Sequence, residues 1–597
     1  MLPKHVPVRH RRTAIALSAA LAAGCAGGGG QNNSMMPAGG GALGGSAGAG
    51  NTVVKIYVPS GSPLNAMIPK PLSVPTPAIP PVSGAAAPMT TPAPAPPPVA
   101  AGPQPGGTQV LAINMNGPAT IAQTVSVGPN ASGCSPAPGG TNCQLALSLP
   151  AGTYTGTIGN ASVAFTVGAS ANNLLNLTLG GVPAQVQIVP ASLMSAANAQ
   201  GGIDLYGAGK HPLLVEVLDA NQNVIIGNAA GSFSLNQAGG SLPLSVTQAP
   251  LTPNLFYVSV PAANASSAIL RATGSQGLSS TVRANLRQIL AVANSNINTI
   301  TLFVNGQPAP LATIQNGVTN PQALIFDASG DLFVANLPGN VSEYAPPYNQ
   351  TPTTIANGVN HPQALALDGR GELFVANGSG SNTVTIYSAP YGSRPPQVIS
   401  SNVDDPVSLA LDSSADLFVL NAAANTVTEY APPYNGSPTT ISKGLFAPNS
   451  LALDSHGNLF VANLNSTPNS VVEYAPPFSN QSAPVVTISN GVNEQGTIAL
   501  SASANLFVPN QGANTVTEYV APYTTPPTTI VGGESQPIAL AIDSLGNLYV
   551  ANYGNNTVTE YPPPYSGASW TTYGSGISAP LALALSPATN AGPALLP

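Results

Sequence analysis

Five aspartates, Asp327, Asp368, Asp412, Asp454 and Asp543, each stand nine residues before an asparagine, at Asn336, Asn377, Asn421, Asn463 and Asn552; Ser501 takes the aspartate's place before Asn510. Residues of these types, repeated in this way, invite two kinds of chemistry. Convergent carboxylates hold a metal ion or move protons, and a ring of amides hydrogen-bonds a polar ligand. The aspartate is followed by small residues and usually glycine, as in D-G-R-G from Asp368. An Asp side chain there accepts backbone N–H bonds and fixes a tight turn, and its replacement by Ser501 and Ser586 fits a turn former better than a catalyst. The asparagines leave two readings open. Each amide bonds its own loop in left-handed turn geometry, or Asn336, Asn377, Asn421, Asn463, Asn510 and Asn552 form a ligand-binding ring at the mouth of a central channel.

The elements that must position these residues recur with a period near forty. L-I-F-D-A-S-G-D-L-F-V-A-N ends at Asn336 and L-A-L-D-G-R-G-E-L-F-V-A-N at Asn377. Each unit offers an apolar run such as Ala364–Leu367, then L-F-V-A-N, then T-V-T-E-Y, then T-T-I. Four short strands in a unit of this length describe a propeller blade, which buries its apolar faces only against its neighbours. The pattern P-x-x-L-A-L-D-x-x-G-x-L-F-V-A-N-x-x-x-N-T-V resembles the NHL repeat, with Asn where that family commonly has a second Asp. The resemblance covers about half the chain and implies a β-propeller over 291–597, but no particular activity. Inner-strand phrases occur seven times, ending with Leu581–Leu585, and third-strand phrases seven times, beginning with Thr299–Val304. L-F-V-A-N occurs six times. The two ends of the array are therefore expected to complete one composite blade, giving seven blades, or six if the ends do not pair.

A third repeated phrase, Y-A-P-P-Y at Tyr344–Tyr348 and Tyr430–Tyr434, returns in variants at Tyr387–Tyr391, Tyr474–Phe478, Tyr519–Tyr523 and Tyr561–Tyr565. It connects the third strand to the fourth. Its rigid aromatic surface suits either a rim that binds glycan or peptide, or packing between blades. Glu343, Glu429, Glu473, Glu518 and Glu560 nearby read as solvated strand positions.

The rest of the chain presents this array. Residues 1–24 combine a basic start with a short apolar run, a secretory signal too short for a membrane span. Ala22-Ala23-Gly24-Cys25 resembles the bacterial lipoprotein lipobox, which implies cleavage before Cys25 and lipid on its thiol. Residues 25–105 are a Gly/Ala/Pro-rich stalk whose composition is that of a disordered segment, interrupted by Thr52–Val58, which alternates like a strand and is a candidate to pair with the domain that follows. Short strand patterns place a β-sandwich module at 106–188 and a second at 189–290 that resembles bacterial immunoglobulin-like modules. Cys134 and Cys143 enclose a short loop, and a disulfide there fits an exported setting.

The expected fold is therefore all-β: two immunoglobulin-like β-sandwich modules, then the propeller. Charged residues are only 6% of the chain, with 13 Lys+Arg against 20 Asp+Glu, so no basic face is available for nucleic acid. Outside the leader the histidines are His211, His361 and His456, in no ligand spacing. No metal or cofactor is expected. The function expected is that of a monomeric, lipid-anchored binding or scaffold protein of the outer membrane or cell surface, recognising an unknown protein or glycan. A metal-dependent, lactonase-like hydrolase or lyase in the propeller funnel and a structural envelope component are the alternatives.

Overall fold

The computed structural model describes residues 50–59 and 109–587, apart from short gaps at 118, 138–139, 151, 159–160, 168–172, 180–181, 193, 227–230, 251, 262–266, 465–467, 494–495 and 566–569. The expected signal peptide, Cys25, most of the stalk and residues 588–597 lie outside the described residues. Within them the chain is all-β, with one 3-10 turn at Ser275–Gly277. No helix among the described residues is long and apolar enough to cross a membrane.

The part before residue 289 is built on one nine-stranded sheet that backs two cores. One half packs Val54, Ile56, Leu147 and Leu177 against Leu111, Ile113 and Tyr154 of a four-stranded sheet. The other half packs Leu213, Val215 and Phe256 against Ile203, Leu205 and Leu270 of a five-stranded sheet. The strands Asn173–Leu179 and Val224–Ile226 pair in parallel, so this sheet runs across the 188/189 boundary that the sequence suggests. The Asp219 carboxylate closes the hairpin before Val224, accepting the N–H groups of Asn221 and Asn223 at 2.8 and 2.9 Å. Thr52–Val58, the strand-like interruption of the stalk, pairs with the domain that follows. It lies within the strand Gly50–Pro59, between Gly140–Leu149 and Asn173–Leu179. Cys134 and Cys143 face each other in register and are bonded.

From Ile289 onward the chain forms seven four-stranded sheets. Six are continuous in sequence. The first is composite, in the order Pro310–Ile314, Thr299–Val304, Ile289–Asn294, Pro580–Leu585. Its second strand, I-L-A-V-A-N, is a seventh version of L-F-V-A-N; the array does not begin at the third strand, and the 290/291 boundary falls inside a strand. The innermost strands neighbour one another in series, and the last, Pro580–Leu585, lies against Pro321–Phe326. The ring is closed and propeller-type. L-F-V-A-N is buried at all five positions in each continuous sheet, as a central strand covered on both faces must be.

Candidate functional site

The aspartates act on the turns. Asp327 Oδ1 accepts the N–H groups of Ser329 and Asp331 at 2.9 and 2.8 Å, and Asp368, Asp412, Asp454 and Asp543 repeat this contact with the residues two and four further on. Ser501 does half the same work, accepting from Asn505 N–H at 3.1 Å. The residue two before the second strand has positive φ, which glycine adopts freely at Gly330, Gly371, Gly457 and Gly546 and which Ala415 and Ala504 adopt with strain.

The asparagines are not an open ring. Asn336, Asn377, Asn421, Asn463, Asn510 and Asn552 are all 0% exposed. Each side-chain carbonyl accepts an N–H from the loop leading into its own sheet, from Thr319, Asn360, Asp404, Phe446, Asn493 and Ser535, at 2.9–3.2 Å. The NH2 group donates inside the sheet, as from Asn421 to Thr428 Oγ1 at 2.9 Å and from Asn510 to Thr517 Oγ1 at 2.8 Å. A buried amide with its hydrogen bonds so committed has nothing to offer a ligand, so the expected ligand ring is corrected to a structural belt. Asn294, which sequence reading missed, is the seventh member and accepts from Ser578 N–H at 3.1 Å. A second belt was also missed. Asn298, Asn382, Asn425, Asn514 and Asn556 sit at positive φ and accept an N–H from the loop leading into the next sheet at 2.6–3.0 Å. The N-T-V phrase was its signal.

The aromatic phrase packs sheet against sheet. Tyr391, Tyr434, Phe478, Tyr523 and Tyr565 each meet edge-on the phenylalanine of the preceding sheet's second strand, with centroids 5.1–5.6 Å apart. Their hydroxyls, where present, donate to turn carbonyls, as Tyr523 does to Ala504 at 2.6 Å. The tyrosines that open the phrase donate to the loop that leads in from the preceding sheet: Tyr344 to the carbonyl of Asn316, Tyr387 to Asn357, Tyr474 to Lys443 and Tyr519 to Asn490, all at 2.6 Å.

The glutamates are less solvated than their sequence positions suggest. Glu518 and Glu560 are buried, and Asn505 Nδ2 donates to Glu518 at 2.9 Å. In the second sheet, burial and the neighbouring carboxylates raise Asp331 and Glu343 to about 6, each above its ordinary value. Burial likewise raises Asp416, Glu429 and Glu473. Among the described residues no three His, Cys, Asp or Glu are grouped so as to hold a metal ion.

One set of side chains escapes the repeat. In six sheets the register slips at the second residue of the innermost strand, at Gln322, Gln363, Val407, Asn449, Ile538 and Leu581. A bulge re-aims its side chain, and all six are half-buried on the strands closest to the axis. Proline stands at the start of each of these strands, yet the bulged residue is an amide in three sheets and a branched aliphatic in the others. The sixth sheet departs from the pattern. Its innermost strand is only Ala499–Leu500, and Thr497 N–H bonds the Ile538 carbonyl at 2.9 Å.

No family model matches the chain, and no curated protein matches it. Solved structures do. A functionally unknown protein from Desulfotomaculum acetoxidans is 15% identical, over 50% of this chain and 98% of its own, with a TM-score of 0.41. A protein from Bacteroides uniformis, whose assignment as a 6-phosphogluconolactonase is itself a proposal, is 14% identical over 50% and 99%, with a TM-score of 0.40. Virginiamycin B lyase from Staphylococcus aureus is 11% identical over 43% and 85%, with a TM-score of 0.37. At such similarity no reaction passes from these proteins to this chain.

Proposed function

We propose that the chain is an exported binding protein, anchored by lipid at Cys25, in which a seven-bladed, NHL-like propeller recognises a protein or carbohydrate. The sandwich region before it serves as a spacer, and the Cys134–Cys143 disulfide braces that spacer. The observation carrying this reading is the ring of bulged residues at the inner strands. The repeated Asp, Asn and Tyr residues serve turns, belts and sheet packing and hardly vary; Gln322, Gln363, Val407, Asn449, Ile538 and Leu581 differ from sheet to sheet around the axis, and Gln322 Nε2 also donates to Asn320 at 3.0 Å. Variation at one half-buried position near the axis, on a constant frame, is the arrangement of a recognition surface. Its mixture of amides and aliphatic groups suits a ligand with both hydrogen-bonding and apolar parts.

The test is a glycan array and an envelope-extract pull-down with the purified chain and with the Gln322→Ala/Gln363→Ala/Asn449→Ala variant. A ligand retained by the first and lost by the second, at matched melting temperature, is the expected result. Equal retention by both would remove the site. Turnover of a lactone or lyase substrate by the unaltered chain would favour an enzyme in the propeller funnel instead.

A further inference from the structure

The strand Gly50–Pro59 fills the middle of the nine-stranded sheet. On one side it runs antiparallel to Gly140–Leu149, with Val54 opposite Leu145 and Ile56 opposite Cys143. On the other it runs parallel to Asn173–Leu179, with Val54 opposite Leu175 and Ile56 opposite Leu177. Val54 and Ile56 are 0% and 1% exposed, within the core that holds Leu111, Ile113 and Tyr154. One segment thus completes two ladders and a core. Without it the sheet would present two facing open edges, the kind of template that takes up an extended chain.

Among the described residues, no short loop joins this strand to either of its neighbours. Neighbouring antiparallel strands are usually joined by loops of two to five residues, but residues 60–108 intervene before Gln109–Asn116, which lies in the other sheet. A chain of that length spans up to ~160 Å fully extended. It is long enough to deliver the strand to its own groove or to that of an adjacent molecule. The hydrogen bonds and buried side chains are the same in both cases, so concentration decides between them. A covalent connection of that length gives the intramolecular strand an effective concentration on the order of 1 mM. Chains crowded on one surface approach that value; dilute chains do not.

We propose that Gly50–Pro59 is an exchangeable donor strand, and that the groove between Gly140–Leu149 and Asn173–Leu179 accepts the same strand from a second copy of this chain, linking molecules side by side. Two differently tagged preparations of the full chain, unfolded and refolded together over a range of concentrations, test it. Mixed-tag dimers are expected, their fraction rising roughly tenfold per tenfold in concentration below ~1 mM. A synthetic peptide of residues 50–59, in excess during refolding, suppresses them. Ile56→Asp removes the donor and Leu177→Asp the acceptor. Each variant alone is expected to remain monomeric, and the mixture to give one-to-one heterodimers. Absence of mixed-tag dimers of the unaltered chain up to ~1 mM, or dimers indifferent to the peptide, overturns the proposal even if neither variant folds.

Discussion

The Ser586 hydroxyl accepts the backbone N–H of Ile289 at 2.8 Å, and the Ser586 N–H donates to the Ile289 carbonyl at 2.8 Å. These reciprocal bonds join residues 297 apart in sequence at the seam where the last strand enters the first sheet. The seam continues through Leu290 opposite Leu585 and Val292 opposite Leu583. Removing Ile577–Pro597 therefore strips the innermost strand from one sheet and opens the ring. The expected outcome is a large fall in thermal midpoint with loss of cooperativity. Ser586→Ala should cost only about 1–2 kcal/mol, because a backbone N–H loses its partner while the ladder remains. Urea unfolding followed by tyrosine fluorescence separates the two.

The asparagine belt makes a second prediction. Asn421 Oδ1 holds Asp404 N–H at 3.0 Å, and its NH2 group reaches Thr426 and Thr428 at 3.2 and 2.9 Å. Asn421→Ala orphans several buried groups at once and should destabilise by about 2–4 kcal/mol. Asn421→Asp should be at least as damaging, since a carboxylate cannot donate to the threonine hydroxyls. Chemical denaturation measures both. A ligand-binding role would instead alter affinity with little change in stability.

These two features show how much of the molecule was legible in sequence. The period, the strand order within a unit and the closing strand at Leu581–Leu585 follow from apolar runs and turn residues, which act locally. The aspartate turns were legible for the same reason, because the acceptor and its donors lie within four residues. The belt was not, because Asn421 meets a partner 17 residues upstream and nothing in spacing alone says whether an amide faces a loop or solvent. Asn294 was hidden because A-V-A-N lacks the preceding phenylalanine, Ala291 standing in its place. The bulged residues at the axis were invisible, since a register slip leaves no mark in composition.

The aromatic contacts give a graded prediction. Tyr523 meets Phe460 edge-on at 5.6 Å and donates to the Ala504 carbonyl, while Phe478 makes the same ring contact with Phe418 at 5.4 Å without a hydroxyl. Tyr523→Phe should cost about 1 kcal/mol. Tyr523→Ala removes the ring that joins two sheets and should cost about 3–5 kcal/mol. Phe478→Tyr should be close to neutral if its hydroxyl reaches the corresponding turn carbonyl. Denaturation midpoints of the three variants check the order.

The acidic cluster ties stability to pH. Asp331 and Glu343 are raised to about 6, and buried Glu216, which accepts from Gln187 Nε2 at 2.7 Å, is raised to about 7 mainly by burial. A carboxyl raised in the folded state binds its proton more tightly there than when unfolded. The stabilisation from these groups is therefore complete below the unfolded values near 4 and is lost as pH rises through about 6 to 7. The melting temperature should fall between pH 5 and 7.5. Glu343→Gln should flatten part of that slope, and Glu216→Gln the part nearest neutrality. A midpoint that rises over this range would contradict the assignment.

A half-buried carboxylate in the loop between the sixth and seventh sheets gives the last prediction. Val318, Val359, Val403, Leu445, Val492 and Ile577 occupy one position in the loops between sheets, and all six are buried apolar side chains. The seventh occupant is Glu534. Its Oε2 accepts the N–H groups of Gly532 and Gly533 at 2.8 and 3.1 Å, while its buried Oε1 has no hydrogen-bond partner. The Tyr561 hydroxyl lies against this carboxylate without a well-formed bond. Five equivalent tyrosines instead donate to the carbonyl two residues before the apolar position, which in this loop is Gly532. Glu534→Val removes an unsatisfied oxygen, restores an apolar contact and leaves Tyr561 free to reach the Gly532 carbonyl. It should stabilise the chain by about 1–2 kcal/mol, most of which the additional change Tyr561→Phe would remove. Denaturation of the single and double variants tests that coupling directly. A Glu534→Val chain less stable than the unaltered one would show that the carboxylate supports the loop through Gly532 and Gly533 more than its buried oxygen weakens it.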